Sequence, residues 1–149
     1  MFFADIEGML NSATNGQSAN PITKTSRGAI YEKCVVAYCR KKGLKIISRN
    51  LRIRRGEIDC LAWNSKNQKL ILIEVRGRGN SNYRPSRFIA PKKIKKLKDL
   101  AMSLAYRHKC SVRIVLLEVI GAIPKDYLLW GLEWFPERLG LKLRDFEIE

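Results

Sequence analysis

Residues 56–78 constrain this chain more than any other stretch. "GEIDCLAWNSKNQKLILIEVRGR" reads as two strands around a polar turn, yet acids stand where strands favour apolar residues. Successive strand side chains point to opposite faces. On the first strand Glu57, Asp59, Leu61 and Trp63 therefore share one face, and Ile58, Cys60 and Ala62 the other. On the second, Leu70, Leu72, Glu74, Arg76 and Arg78 oppose Ile71, Ile73 and Val75. The turn Asn64-Ser65-Lys66-Asn67 has hairpin composition, and the length of its tip sets the register. A two-residue tip at Lys66-Asn67 places Asp59 across from Glu74, whereas a four-residue tip places Glu57 there. In both registers three carboxylates crowd one face, and like charges directly opposed across strands are destabilising. Such a face calls for a cation, whether Arg54, Arg55, Arg76 or a metal. Ordinary surface ion pairs worth about 0–1 kcal/mol satisfy the same pattern, so spacing alone leaves the choice open.

The charge balance narrows the partner. The chain carries 29 Lys and Arg against 14 Asp and Glu, a formal net charge of +15. A field of that sign favours polyanions, meaning nucleic acid, an acidic membrane surface or the ribosome. No apolar run approaches the roughly 20 residues that span a bilayer, so a membrane is not the expected partner. The opening "MFFADIEGML" carries acids and no basic region, unlike a secretory signal. Cys34, Cys39, Cys60 and Cys110 form no Cys-x-x-Cys pair, and His108 is the only histidine, which argues against structural zinc. Cys34 and Cys60 fall on apolar faces and read as small core residues of a reducing cytoplasm.

Along the chain, residues 1–25 are poor in basic charge and rich in small polar residues, and read as a flexible leader. One domain is expected over 26–149, a length that fits a single core. The pattern predicts a helix over Ser26 to Lys42, with Ser26 as N-cap and Gly43 just past its end. Ile30, Tyr31, Cys34, Val35 and Tyr38 form its apolar side, and Glu32 falls at the edge of that side beside Val36 and Cys39. A short strand follows over Lys45 to Asn50, then the acidic hairpin, then a Gly-, Asn-, Ser- and Pro-marked loop over Gly79 to Phe88. Pro91 opens a second helix at its favoured first position, with Ile94, Leu97, Ala101 and Leu104 on one stripe. Lys92, Lys93, Lys95, Lys96 and Lys98 crowd mainly the other side, more cations than a mixed surface needs, and point to phosphate binding. Ser111 to Gly121 is a β-branched run fit for a buried strand. Trp130, Trp134 and Phe135 are expected to cap the core. The order helix, strand, hairpin, helix, strand predicts an α/β sandwich with a mixed sheet.

A helix-borne acid, Gly-Glu-Ile-Asp on one strand, Glu-Val-basic on the next and a Pro-opened basic helix together resemble the small bacterial YraN-like proteins. These are grouped with the PD-(D/E)XK, or restriction-endonuclease-like, nucleases. The resemblance covers about Ser26 to Gly121, including "GLKIISRN" and "APKKIKKL", and leaves 122–149 as an aromatic C-terminal extension. It implies a three-layer sandwich, a mixed central β-sheet flanked by helices. It also implies Mg²⁺ or Mn²⁺ held by Asp59 and Glu74, with the carbonyl of Val75 as a third ligand. Glu32 would be the helix acid reaching the site, and Arg76 stands where the family carries the lysine that positions or activates water. Such a metal lowers the pKa of a bound water and neutralises charge on a phosphodiester.

The implied partner is nucleic acid, DNA foremost, with backbone phosphates met by Arg54, Arg55, Arg78, Arg84, Arg87, Lys92, Lys93, Lys95 and Lys96. The implied activity is a metal-dependent deoxyribonuclease. The chain departs from the pattern at Arg76, because arginine keeps its proton and cannot serve as a base. It departs again at Ile94, where the family has glutamine, and at Val115, where an acid is common. Binding survives such losses more easily than cutting, so a non-catalytic nucleic-acid-binding module and a basic ribosome-associated protein stand as alternatives.

Overall fold

The computed structural model describes residues 26–53, 56–78, 89–121 and 140–148, with the side chains of residues 26–29 and of Arg78 left aside. In chain order its elements are α1 (Ser26–Lys42), β1 (Lys45–Ile53), β2 (Gly56–Asn64), β3 (Lys69–Arg78), α2 (Pro91–His108), β4 (Ser111–Ile120) and β5 (Lys142–Ile148). The five strands lie side by side in that same order. Neighbours run antiparallel except β3 and β4, which are parallel. A parallel pair needs a crossover, and α2 lies within the segment that makes it.

Local chemistry explains the helix ends. Gly43 takes φ +69° after α1, and the Leu44 N–H reaches back to the Cys39 carbonyl at 2.8 Å. This left-handed closure is the one a glycine supplies without steric cost. At α2 the Ala90 carbonyl accepts from Lys93 and Ile94 at 2.8 and 3.1 Å, with Pro91 inside the first turn.

The sheet is covered on both faces, which is the helix, sheet, helix layering expected of the α/β sandwich. Leu97, Leu100, Ala101 and Leu104 of α2 pack with Leu61, Trp63, Leu70, Leu72 and Ile114. On the opposite face Val35, Tyr38 and Cys39 of α1 pack with Cys60, Ala62, Ile71, Ile73, Val115 and Leu117. The alternation read along β3 therefore holds, Leu70 and Leu72 under α2 and Ile71 and Ile73 under α1. No described helix is long and apolar enough to cross a membrane.

Several local expectations need correction. The first strand runs on past Asn50 to Ile53, and its pairing with β2 slips by one residue between Ile46 and Ser48. That bulge turns Ile47 toward the α2 side. Ile58 joins the same cluster as Leu61, so strict alternation fails between them. On α2 the buried stripe is Leu97, Leu100, Ala101, Leu104 and His108, and Ile94 is only partly covered. β5 is not foreshadowed by the sequence pattern. It lies antiparallel against β4 and covers that strand's outer edge, with Leu143 opposite Val119 and Phe146 opposite Leu116. Tyr38 Oη donates to Asp145 Oδ2 at 2.9 Å, tying α1 to this last strand. The leader over 1–25, the loop over 79–88 and Trp130, Trp134 and Phe135 lie outside the described residues.

Candidate functional site

The hairpin delivers Asp59 and Glu74 to one place. Its ladder pairs Asn64 with Lys69, Leu61 with Leu72 and Cys60 with Ile73, which makes Asp59 and Glu74 the next residues across from each other. The turn holds four residues, Ser65 to Gln68, and Asn64 Oδ1 accepts the Lys66 N–H at 3.1 Å. Its centre lies between Lys66 and Asn67. The register is thus the one expected of a two-residue tip, because the centre of the turn and not its length decides which residues meet. Glu57 is left exposed, opposite Arg52 of β1.

Where the regular ladder stops, a side chain takes over. The Val75 N–H donates to Asp59 Oδ2 at 2.8 Å, which fixes the Asp59 carboxylate against β3. Glu74 is only 5% exposed. Burial pushes its carboxyl above the usual carboxylate range, Lys93 pulls the other way, and the neighbouring Asp59, within hydrogen-bonding reach, adds to the rise. Lys93 Nζ forms an ion pair with Glu74 Oε1. The helical period explains this contact, since Lys93 stands one turn before Leu97 on the inward stripe of α2. By composition Lys93 counts among the phosphate ligands, and the structure gives it a second neighbour, the Glu74 carboxylate, while its side chain stays 43% exposed. Among the described residues the cation paired with this acidic face is a lysine from α2, and not Arg76; Arg54 and Arg55 lie outside the described residues.

Glu32 lies on α1 and accepts a hydrogen bond from Asn50 Nδ2 at 2.9 Å. Asn50 sits between Arg49 and Leu51, the partners of Cys60 and Ile58, so it faces the Asp59 position from β1. It has φ +51°, a conformation asparagine tolerates better than most residues. No group of three His, Cys, Asp or Glu side chains able to hold a metal occurs among the described residues.

Arg76 follows Glu74 on the same face and pairs in the ladder with Glu118 of β4. Among the described residues it has no ion pair with Glu74. Glu118 is fully buried and escapes the motif-based reading, although a single acid inside "SVRIVLLEVI" is the same signal that exposed Glu74. Arg144 of β5, directly across from it, donates to Glu118 Oε2 at 3.2 Å and lies over the Phe146 ring. Arg76, Glu118 and Arg144 thus form a row across three adjacent strands.

Of the residues assigned to phosphate binding, Lys92, Lys95 and Lys96 are exposed on α2. Lys96 also crosses β2 at Gly56, where a Cβ would fall 2.6 Å from its Cε, so the glycine of Gly-Glu-Ile-Asp leaves room for that stem. Arg54, Arg55, Arg84, Arg87 and the side chain of Arg78 lie outside the described residues. Cys34 and Cys60 do not compete for a chemical role. Burial pushes the Cys34 thiol up to about 12, and the hydrogen bond that Cys60 donates to Cys39 together with burial raises Cys60, which leaves neither as a ready nucleophile.

The model of "Uncharacterised protein family UPF0102" matches residues 31–119. The chain belongs to UPF0102, the YraN family. That family is generally placed in the restriction-endonuclease-like superfamily, with which the five-stranded mixed sheet and its two helices are compatible. A UPF0102 protein of Cytophaga hutchinsonii is 36% identical over 81 residues, 54% of this chain and 70% of the relative. One of Mycolicibacterium smegmatis is 26% identical over 101 residues, 67% of this chain and 82% of the relative. One of Mycobacterium tuberculosis is 31% identical over 81 residues, 54% of this chain and 63% of the relative. The UPF0102 match takes in Glu32, Asp59, Glu74, Arg76, Lys93 and Glu118, and stops before β5 and its Arg144.

Proposed function

We propose that this chain binds nucleic acid, DNA foremost, in a reducing cytoplasm, and cleaves phosphodiesters with Mg²⁺ or Mn²⁺ held at Asp59 and Glu74. The observation that carries the reading is the carboxyl pair. Two acids within hydrogen-bonding reach, one of them 5% exposed, are held together by their strands in spite of mutual repulsion. A fold keeps such an arrangement at a cost to stability, and perturbed acids of this kind cluster at functional sites. The donor set suits the ion, because Mg²⁺ needs only one or two carboxylates and completes its shell with waters and phosphate oxygens. When bound, the ion supplies charge neutralisation and an acidified water.

The chain's own residues divide the remaining work. The Val75 N–H orients Asp59. Arg76, on the Glu74 face, offers a permanent charge to the substrate phosphate and no base. The exposed Lys92, Lys95 and Lys96 track the backbone without reading sequence. One observation favours a second reading, a non-catalytic binding module: Lys93 already neutralises Glu74.

The deciding experiment is a cleavage assay with Mn²⁺ on linear, flapped and four-way DNA, comparing wild type with Asp59→Asn and Glu74→Gln. Metal-dependent cutting that both substitutions abolish is the expected result. Tight DNA binding with no cutting on any substrate would leave the binding module as the better account.

A further inference from the structure

Lys93 occupies a position that neither the family match nor the sequence pattern assigns a role at the carboxylates. Its backbone is anchored, because the stripe from Leu97 to Leu104 fixes α2 against the sheet. Its head group is not, because the side chain is 43% exposed while the side chain of its partner Glu74 is 7% exposed. Lysine carries a compact charge on a flexible stem of four carbons, unlike the rigid fork of arginine. Arg76, two residues from Glu74 on the same strand face, leaves that carboxylate to Lys93.

We infer that Lys93 is a displaceable internal cation, which neutralises Glu74 in the metal-free protein and yields it when a divalent ion binds, moving its ammonium to the substrate phosphate. The inference rests on the metal-binding reading above and adds the residue that regulates it. A metal and an ammonium that compete for one carboxylate are thermodynamically coupled, so removing one strengthens the other. The same displacement supplies a mobile lysine at the site in place of the one that Arg76 lacks. Glu74 would then never face Asp59 without a cation, whichever state the protein is in.

The test uses Mn²⁺ alone, with no nucleic acid, and reads its affinity from the concentration dependence of the melting temperature. Lys93→Met should bind Mn²⁺ about 5- to 150-fold more tightly than wild type, the usual span of such couplings. Lys93→Arg should stay within a few-fold of wild type or weaker, because its charge remains. Lys93→Gln, which keeps a polar group on Glu74, should follow Lys93→Met and guards against a packing artefact of the methionine. Equal affinity in wild type, Lys93→Met and Lys93→Gln, with binding lost in Asp59→Asn, would overturn the inference while leaving the metal site standing. Absence of a Mn²⁺ shift in wild type and in both uncharged variants would remove the metal site and the inference with it. Binding by the uncharged variants alone would support the inference in its strongest form.

Discussion

Gly77 follows Arg76 in β3, and a Cβ built there would collide with the ring and hydroxyl of Tyr31 from α1. Tyr31 is half-buried and packs with Ile30, Cys34, Val119 and Leu141, so its ring cannot move aside freely. Gly77→Ala should therefore behave as overpacking and cost about 1–3 kcal/mol, a fall in Tm of about 3–10 °C for a domain of this size. Tyr31→Ala removes the obstacle at the cost of its own packing. In the double variant the alanine at 77 should then cost almost nothing further, giving a coupling of about 1 kcal/mol or more between two sites that would otherwise add within about 0.5 kcal/mol. Urea unfolding of the four proteins at 25 °C measures it. Gly43→Ala serves as the contrast: Gly43 has φ +69° and nothing within 4 Å of a Cβ, so its cost is conformational and should not depend on Tyr31. Additive losses at 77 and 31, or a Gly77→Ala protein as stable as wild type, would refute this account of how α1 is seated beside the site.

Other outcomes are expected from the charged groups. Glu74, flanked by Asp59 and Lys93, has a folded-state pKa above its unfolded value, so the native state takes up the proton first as pH falls. Its contribution to stability should grow below that folded pKa and be lost as pH rises through it; the difference in urea stability between wild type and Glu74→Gln should accordingly widen in the variant's favour toward neutral pH. Arg144→Met takes the Arg144 hydrogen bond from the buried Glu118 and should cost about 1–3 kcal/mol, whereas the double variant Glu118→Met, Arg144→Met should lose less, because the charge that needs compensation is gone. Alanine at Lys92, Lys95 and Lys96 should weaken binding to all duplexes alike and lower the salt slope by about 0.9 for each phosphate no longer neutralised, measured by anisotropy in EDTA over a salt series.

Much of the fold was legible because its signals are local. Ser26, Lys42 and Gly43 bracket α1, Pro91 opens α2, and the apolar runs at Leu70–Ile73 and Ser111–Ile120 declare strands. The family resemblance rested on residues that the sheet does bring close, since Asp59 and Glu74 are next in register across the hairpin. What escaped depends on distance or on a break in period. Lys93 belongs by composition to a lysine-rich face, and only its phase relative to Leu97 and Leu100 turns it inward. Ile58 defied alternation beside Asn50 of the facing strand, whose backbone takes φ +51°. β5 breaks alternation at the adjacent, exposed Arg144 and Asp145, and its four charged residues among seven hide it within a tail whose tryptophans are the stronger signal. Glu118 carries the same anomaly as Glu74, yet no motif points to it.

The placement of β5 has a consequence for how this chain could fail. Ile114 to Ile120 are all buried, and β5 is the element that pairs with their backbone on the outer side. If proteolysis or a loosening substitution peeled β5 away, β4 would offer a row of unsatisfied N–H and C=O groups along a segment whose only charge is Glu118. A strand of that composition with an open edge is a template for self-association. Loss of the last strand should thus appear as insoluble aggregate and not as a smaller, still-folded protein. The charged residues of β5 then act as a sheath, presenting water with Lys142 and Glu147 where β4 by itself would present an open edge with a single charge.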